Sequence, residues 1–586
     1  MEASENGTDY HYTHDTEGRV LSKRAWGKTL YENHYDACGR LRELITGEQK
    51  TSYGYDKAGR LAEVCASNGI RAQYQYDRND MQTEVLYGNG LRTSYTYDER
   101  SQLTGMETVL PGMSNPLFRG TYAYDANGCR ISKTEQIRMD ATTPLKVMET
   151  SYTYDAMERL TKESLNGAVT SYGYDLAGNR ITKSTDGRTE SYLYNNRNQL
   201  TELHREKDVV RYSYDPAGNL TEENYLTADG ASTKKLHYAY DVYNRNVSVT
   251  GDDFTQKNHY DAEGFRYAVT ENGETTNFVY RNGMPVSELD ADKNPVRGYV
   301  LGNEYISQVD GTSFGYYLND EQGSVRYLTG SDGSIRNHYR YSAFGETITA
   351  EETVPNRLRY NGQMADGLTG LYYLRARYYN ASLGRFTQED VIYNDGLNLY
   401  AYCNSNPVMY SDPSGFAAKS TQPTQESMCK RKNGGEKDSK SSTNSRIALP
   451  GDADFVGPIN SGSWTLAPNG EGAHLVERSN VRGRASLASF DTTDTPRYYP
   501  YGTPESAGQA HIRLHEATRN AGIKLRGGNP NLSDFELIER YKKAYNNSAL
   551  NGIRGELRLP DSSRIIVADV IPSKAFMALL EWEKNN

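Results

Sequence analysis

YGYDLAGNRI, residues 172–181, is a unit that this chain repeats along most of its length. The pattern Tyr-x-Tyr-Asp-x-x-Gly-Arg/Asn-Leu/Ile returns at residues 53–61 and 212–220. Partial copies centre on Asp36, Asp77, Asp98, Asp125, Asp155, Asn195, Asp241 and Asp261. Neighbouring copies are about 20 residues apart, and self-similarity at a fixed period indicates a repeat architecture.

One unit predicts a β-hairpin. Tyrosines at positions i and i+2 lie on the same side of a strand, so successive units would form a tyrosine-lined face. The aspartate can accept hydrogen bonds from the following turn, where the glycine tolerates a positive φ. A period of about 20 residues favours an array of hairpins over a helical solenoid or a propeller. The units contain no catalytic constellation, so taken alone they indicate a structural scaffold.

Composition narrows the class of protein. The chain has 586 residues, which is too long for one ordinary core, and its formal charge of −10 is unlike that of a nucleic-acid binder. Its five cysteines form no CxxC pair, which argues against a disulfide framework or a zinc ribbon. We find no Sec signal and no transmembrane segment in the sequence. Secretion or display at the cell surface would therefore need a non-Sec route or an upstream signal.

The later repeats carry a more specific signature. Its parts are residues 317–326 (YLNDEQGSVR), 341–346 (YSAFGE), 360–363 (YNGQ), 370–379 (GLYYLRARYY), 384–386 (GRF) and 412–415 (DPSG). Residues 9–416 resemble the YD repeats of bacterial Rhs proteins, toxin-complex C subunits and teneurins, and residues 317–416 resemble the Rhs repeat-associated core. The resemblance implies a mainly β fold, in which a β-hairpin spiral forms a shell around a C-terminal cargo. For so short a copy, a complete and an incomplete shell are both open alternatives.

Two aspartates near the end of the core are candidates for self-cleavage. Carboxylates brought together can share one proton and activate water, and Asp390 and Asp412 could form such a pair. The resemblance implies that the bond Phe416–Ala417, just after the DPSG motif, is cut. It also implies that Arg385 could fix a carboxylate. Asp390 lies in Gln-Glu-Asp-Val instead of the family's Pro-Asp-Pro, so Glu389 is an alternative. Both aspartates could also serve only to stabilise turns.

The sequence divides into four parts. We predict YD repeats over residues 1–316, the repeat-associated core over 317–416, a flexible linker over 417–448 and a small α+β domain over 449–586. The linker is rich in Lys, Ser, Thr and Gly. In the last domain we expect strands at residues 473–477, 485–490, 552–558 and 565–568, and helices at 503–520, from 533 onward and at 573–582.

The C-terminal domain has a cluster that suits phosphodiester chemistry. His511 and His515 lie on one face of a predicted helix, with Arg519 close by and His474 on a preceding strand. Histidines can act as acid and base while an arginine holds phosphate, which suggests a nuclease. We predict no cofactor, although the two histidines with a carboxylate could bind a divalent metal. Alternatives are an ADP-ribosyltransferase, or histidines that simply lie on the surface of an amphipathic helix.

Two classes of function follow. In the first, the chain is an Rhs-type polymorphic toxin used in interbacterial competition, whose shell encloses a C-terminal toxin and frees it by autoproteolysis. Its partners would be a cognate immunity protein, secretion machinery and a nucleic-acid substrate, and the toxin would reach the target cell's cytoplasm. In the second, it is a cell-surface adhesive protein whose tyrosine-lined repeats bind carbohydrate and whose C-terminal module is not toxic.

Overall fold

The computed structural model describes residues 8–111, 116–138, 143–391 and 398–420. It also describes the backbone of four short strands outside these ranges, at residues 2–5, 497–500, 555–558 and 565–570. The chain divides into two units, Met1–Thr443 and Asn444–Asn586.

A single antiparallel sheet of 33 strands dominates the first unit. Each strand pairs with the next one along the chain, from β1 with β2 to β32 with β33. Among the described strands, β1 and β33 do not pair with each other, so the sheet is not closed. In order, the strands are β1 Glu2–Glu5, β2 Thr8–His14, β3 Val20–Ala25, β4 Lys28–Tyr35, β5 Leu41–Thr46, β6 Gln49–Tyr55, β7 Leu61–Ala66, β8 Arg71–Tyr76, β9 Gln82–Tyr87, β10 Arg92–Tyr97, β11 Leu103–Val109, β12 Phe118–Tyr124, β13 Arg130–Ile137, β14 Lys146–Tyr154, β15 Leu160–Leu165, β16 Ala168–Tyr174, β17 Arg180–Thr185, β18 Arg188–Tyr194, β19 Leu200–His204, β20 Asp208–Tyr214, β21 Leu220–Thr227, β22 Ser232–Tyr240, β23 Asn246–Thr250, β24 Thr255–Tyr260, β25 Arg266–Glu271, β26 Glu274–Arg281, β27 Met284–Leu289, β28 Pro295–Leu301, β29 Tyr305–Asp310, β30 Ser313–Asn319, β31 Val325–Gly330, β32 Ile335–Tyr341 and β33 Thr347–Glu352.

The aspartate of each repeat orders its own turn. Asp56 Oδ1 accepts hydrogen bonds from the backbone N–H groups of Ala58 and Arg60, both at 2.9 Å. Its Oδ2 accepts one from Arg60 Nε at 2.7 Å. Burial raises the pKa of Asp56, but the hydrogen bonds from Arg60 and Ala58 and the charge of Arg60 outweigh it and hold this pKa below its usual value. Gly59 adopts a φ of +84°, the left-handed conformation that such a turn requires.

Arginine and tyrosine join one repeat to the next. The guanidinium of Arg60 lies 4.7 Å from the ring centroid of Tyr76, in the following repeat. The hydroxyl of Tyr76 donates a hydrogen bond back to the carbonyl of Leu61 at 2.7 Å. The same hydroxyl bond to an earlier repeat is made by Tyr55, Tyr97, Tyr124, Tyr154, Tyr174, Tyr194 and Tyr260. Phenylalanine could not make this bond, which explains the tyrosine at this position of the repeat.

The sheet winds into a spiral whose turns become shorter. Contacts between one turn and the next join residues whose separation in sequence falls along the chain. The separations are 240 for Lys23–Glu263, 191 for Arg130–Glu321 and 163 for Lys183–Glu346. Early and late strands also share cores, as where Tyr10 and Leu30 pack with Val279 and Val286. The predicted hairpin spiral is therefore confirmed.

Short elements follow the spiral at its tight end. They are a 3₁₀ turn at Tyr360–Gly362, the four-stranded sheet β34 Met364–Ala365, β35 Tyr372–Leu374, β36 Arg377–Asn380 and β37 Arg385–Phe386, a 3₁₀ turn at Cys403–Ser405, and the pair β38 Tyr410–Ser411 and β39 Lys419–Ser420. Between Phe386 and the second of these turns, residues 398–401 form a further turn, and Ala401 makes an isolated antiparallel bridge with Arg385. The N–H of Ala401 donates to the carbonyl of Asn398 at 3.1 Å, which bends the backbone.

Three antiparallel strands are described in the second unit. They are β40 Arg497–Pro500, β41 Gly555–Arg558 and β42 Ile565–Val570, with β41 in the middle. Strands β41 and β42 overlap the strands expected at residues 552–558 and 565–568, whereas β40 was not anticipated. The predicted helices and the strands at residues 473–477 and 485–490 lie outside the described residues.

Candidate functional site

Asp412 holds the loop that contains the predicted cleavage bond. Its Oδ1 accepts hydrogen bonds from the N–H groups of Ser414, Gly415 and Phe416, at 3.1, 2.9 and 3.2 Å. Strands β38 and β39 pair on either side of this loop, so the bond Phe416–Ala417 lies within residues 412–418. The aspartate therefore fixes the backbone up to the bond itself.

The second carboxylate oxygen of Asp412 faces an arginine. Asp412 is 2% exposed, and its Oδ2 accepts no hydrogen bond from the part of the chain that the structure describes. This oxygen lies 3.7 Å from Arg377 Nη2, and the same nitrogen lies 2.7 Å from Asp390 Oδ2. Arg377 thus brings together the two aspartates that the sequence suggested as a pair, although they are 22 residues apart.

Arg377 is itself held from several sides. Its Nη1 donates to the carbonyl of Leu399 at 2.9 Å, and its Nε donates to the carbonyl of Gly415. The guanidinium lies 3.6 Å from the ring centroid of Phe386. One buried side chain therefore contacts both carboxylates and the residue before Phe416.

Gly415 is required by this geometry. It has a φ of +75°, and a Cβ added there would lie 2.5 Å from the carbonyl oxygen of Leu374 and 2.9 Å from the backbone nitrogen of Arg377. Neither the backbone conformation nor the available space accommodates a larger residue. The loop consequently lies directly against the strand that carries Arg377.

The cluster can support acid–base chemistry. With all three groups ionised, the two carboxylates and one guanidinium carry one net negative charge. A single proton taken up by the pair makes the cluster neutral. Two nearby carboxylates that share one proton can activate water with one oxygen and donate a proton with another.

Arg385, which we expected to fix a carboxylate, instead contacts a backbone carbonyl and two tyrosine rings. Its Nη2 donates to the carbonyl of Asn198, and its guanidinium lies 4.8 and 4.9 Å from the ring centroids of Tyr194 and Tyr400. Glu389, the alternative to Asp390, forms an ion pair of 2.8 Å with Arg197. The arginine beside the aspartates is Arg377, which sequence reasoning missed although it lies in the signature segment 370–379.

The candidate residues of the C-terminal domain, His474, His511, His515 and Arg519, lie outside the described residues. Across the described ranges, no group of three or more His, Cys, Asp or Glu side chains could hold a metal ion. Within the same part of the chain, no helix has the length and apolar character needed to cross a bilayer.

Two protein families match this chain. Residues 3–118 and 113–408 match the teneurin YD-shell family, and residues 469–586 match the family described as toxin protein PT1. The loop with Phe416 and Ala417 lies between the two matches.

Individual relatives cover only part of the chain. The tRNA3(Ser)-specific nuclease WapA of Bacillus spizizenii is 35% identical over 282 residues, which is 45% of this chain and 12% of that protein. The toxin protein Tse5 of Pseudomonas aeruginosa is 28% identical over 318 residues, or 50% of this chain and 24% of that protein. The crystal structure of TcdB2-TccC3-TEV matches with a TM-score of 0.45 and 18% identity, covering 70% of this chain and 24% of that one. Because the YD-shell match spans more than half of its residues, the chain belongs to the teneurin YD-shell family.

Proposed function

We propose that this chain is the carrier of a polymorphic toxin used in competition between bacteria, and that it cuts itself after Phe416 to free its C-terminal domain. The observation that carries this proposal is the cluster of Arg377, Asp390 and Asp412 against the loop 412–418. That loop lies between the part matching the YD shell and the part matching a toxin family.

The distances from Arg377 suggest a different role for each of the two carboxylates. Asp390 is paired with Arg377 at 2.7 Å, which favours its ionised form, whereas Asp412 Oδ2 is 3.7 Å from the same nitrogen. Asp390 would take a proton from water as the water oxygen bonds to the Phe416 carbonyl carbon. The proton shared by the two carboxylates would pass to the Ala417 nitrogen as the C–N bond breaks, leaving a new carboxyl group and a new amine.

A denaturing gel of the purified full chain tests the cleavage. We expect two fragments, with Ala417 as the new N-terminal residue, and a single intact chain for Asp412→Asn. A matched control is Asp56→Asn, because Asp56 also accepts backbone N–H groups in a turn but lies in a repeat. This variant should cleave normally. If the wild-type chain, purified and stored without denaturant, ran on this gel as one intact band, the protease assignment would be wrong.

The reaction of the C-terminal domain is a separate proposal. The alignment with WapA covers 282 residues, which is more than the C-terminal domain, residues 449–586, contains. It must therefore include YD repeats, so it supports the proposed carrier role and leaves the reaction of the C-terminal domain open. For the toxin itself we propose a nuclease that uses His511, His515, Arg519 and His474.

A cognate immunity protein, secretion machinery and delivery into the target cell's cytoplasm belong to the same proposal.

A growth assay tests toxicity. Residues 417–586 expressed in the bacterial cytoplasm should stop growth, and the double variant His511→Ala with His515→Ala should relieve it. Incubation of the protein with labelled RNA, DNA and NAD separates a nuclease from an ADP-ribosyltransferase. Normal growth with the wild-type segment would contradict the toxin proposal.

A further inference from the structure

A small cavity lies between the repeats around residues 174–194 and the segment 383–405. Its volume is about 20 Å³, and its lining includes Arg180, Arg385, Asn179, Asn398 and Tyr400. We propose that Arg180 and Arg385 bind a single monatomic anion of chloride's size in this cavity. This site is separate from the Arg377 cluster and goes beyond the proposed toxin function.

Both arginines are buried. Each is 6% exposed, and the Nε of each is buried and forms no hydrogen bond. Arg180 Nη2 donates to the carbonyl of Ser382 at 2.9 Å, and Arg385 Nη2 donates to the carbonyl of Asn198. Among the described residues neither guanidinium forms an ion pair. Because arginine stays protonated in proteins, two positive charges are left beside one cavity.

Three other buried arginines in the described part of the chain are paired with carboxylates. Arg130 pairs with Glu321 at 2.7 Å, Arg266 pairs with Asp366 at 2.6 Å, and Arg377 pairs with Asp390 at 2.7 Å. Buried charges are normally paired in this way, because removing an ion from water is costly. Arg180 and Arg385 depart from this pattern, and they line the same cavity.

Aromatic rings compensate for these charges only in part. The guanidinium of Arg180 lies 5.0 to 5.5 Å from the ring centroids of Phe344, Tyr192 and Tyr172. Arg385 lies between Tyr194 and Tyr400. A ring face attracts a cation through its quadrupole, but it carries no net charge. An anion would supply the missing charge and an acceptor for the unused Nε groups.

The size of the cavity decides which anion fits. A space of about 20 Å³ holds one water-sized occupant. Sulfate and phosphate have five heavy atoms each and are too large. Water fits, but it leaves both positive charges uncompensated. A single halide ion satisfies the size, the charge and the donors together.

Halide-dependent stability of the full chain tests the site. We would measure the thermal unfolding midpoint of Asp412→Asn, which keeps the chain whole, in sodium gluconate and in sodium chloride at equal ionic strength. The midpoint should rise with chloride and then saturate. It should lose this response in Arg180→Gln and Arg385→Gln, and keep it in Arg197→Gln, whose side chain is 50% exposed and paired with Glu389. Equal midpoints in the two salts would overturn the proposal.

Crystals soaked in bromide give a test that does not depend on variants that fold. An anomalous peak between Arg180 and Arg385 is expected. A cavity that is occupied only by water under these conditions would also overturn the proposal. Because neither measurement involves cleavage or toxicity, failure here leaves the proposed function untouched, and failure of the proposed function leaves this site untouched.

Discussion

Arg377 Nη2 lies 2.7 Å from Asp390 Oδ2, and this ion pair is almost completely buried. The same guanidinium contacts Asp412 and the carbonyl of Gly415. A single cation thus connects strand β36 with both aspartates and with the loop before Ala417. This arrangement makes Arg377 a positioning residue for the proposed cleavage.

Replacing Arg377 should slow cleavage. Arg377→Gln removes the charge that holds the two carboxylates together, and we expect the rate of fragment formation to fall roughly 100-fold, as misplaced catalytic groups commonly do. Arg377→Lys keeps the charge but not the planar fork, so it should recover only part of the rate. A time course on denaturing gels measures both. If Arg377→Gln cleaved at the wild-type rate, the positioning role would be wrong.

Asp390 and its neighbour Glu389 can be distinguished by paired variants. Asp390→Asn should leave the chain intact, because the proposed base is lost. Glu389→Gln should cleave normally, because Glu389 is paired with Arg197 and not with Arg377. Gel analysis of the two purified variants side by side gives the answer. The reverse result, with only Glu389→Gln inactive, would assign the base to Glu389.

The buried pair of Arg266 and Asp366 should be important for stability. Both side chains are fully buried, and their contact of 2.6 Å joins β25 to the short segment after β34. Asp366→Ala leaves an unpaired buried guanidinium, which should lower the free energy of unfolding by about 3–5 kcal/mol. Chemical denaturation measures the change. Asp332→Ala, in an exposed turn, is the control and should have little effect, and an equal loss in both variants would contradict the expectation.

His338 should make the spiral less stable in acid. Burial, with the charges of Arg326 and Arg340, lowers the pKa of His338 from 6.5 to about 4. The unfolded chain therefore binds a proton below about pH 6.5 that the folded chain does not bind until about pH 4. Stability should fall as the pH drops through this window, by up to about 3 kcal/mol for this shift.

Denaturant unfolding at several pH values checks the expectation. The variant His338→Gln cannot titrate, so its unfolding free energy should depend less on pH between 4 and 6.5 than that of the wild-type chain. An unchanged pH dependence would show that His338 does not carry the effect.

Much of the fold could be predicted because each repeat encodes its own hairpin. The aspartate, the glycine and the two tyrosines act within one unit or on a neighbouring one, so the period of the sequence is enough to place them. Asp390 and Asp412 were proposed as a pair on grounds of chemistry and resemblance, and both lie within 3.7 Å of Arg377. Arg377 was not anticipated, because its contacts depend on how the segment 370–379 lies against the DPSG loop.

Arg385 shows the opposite case. Its place in the Gly-Arg-Phe motif, close in sequence to Asp390, suggested a contact with a carboxylate. In the structure its Nη2 donates to the carbonyl of Asn198, 187 residues earlier, because the short strand that carries Arg385 packs against that repeat. Sequence distance is a poor guide wherever these short elements meet the spiral.

The sequence by itself determined the hairpins, their period and the turn chemistry of the aspartates, because these depend on contacts between residues close along the chain. Only the tertiary structure decided which distant residues meet: Arg377 with the two aspartates, and Arg180 with Arg385 around one cavity. The physical reason is that the short elements after the spiral follow no repeat, and they pack against one another and against distant repeats. No local pattern can therefore encode which of these residues meet.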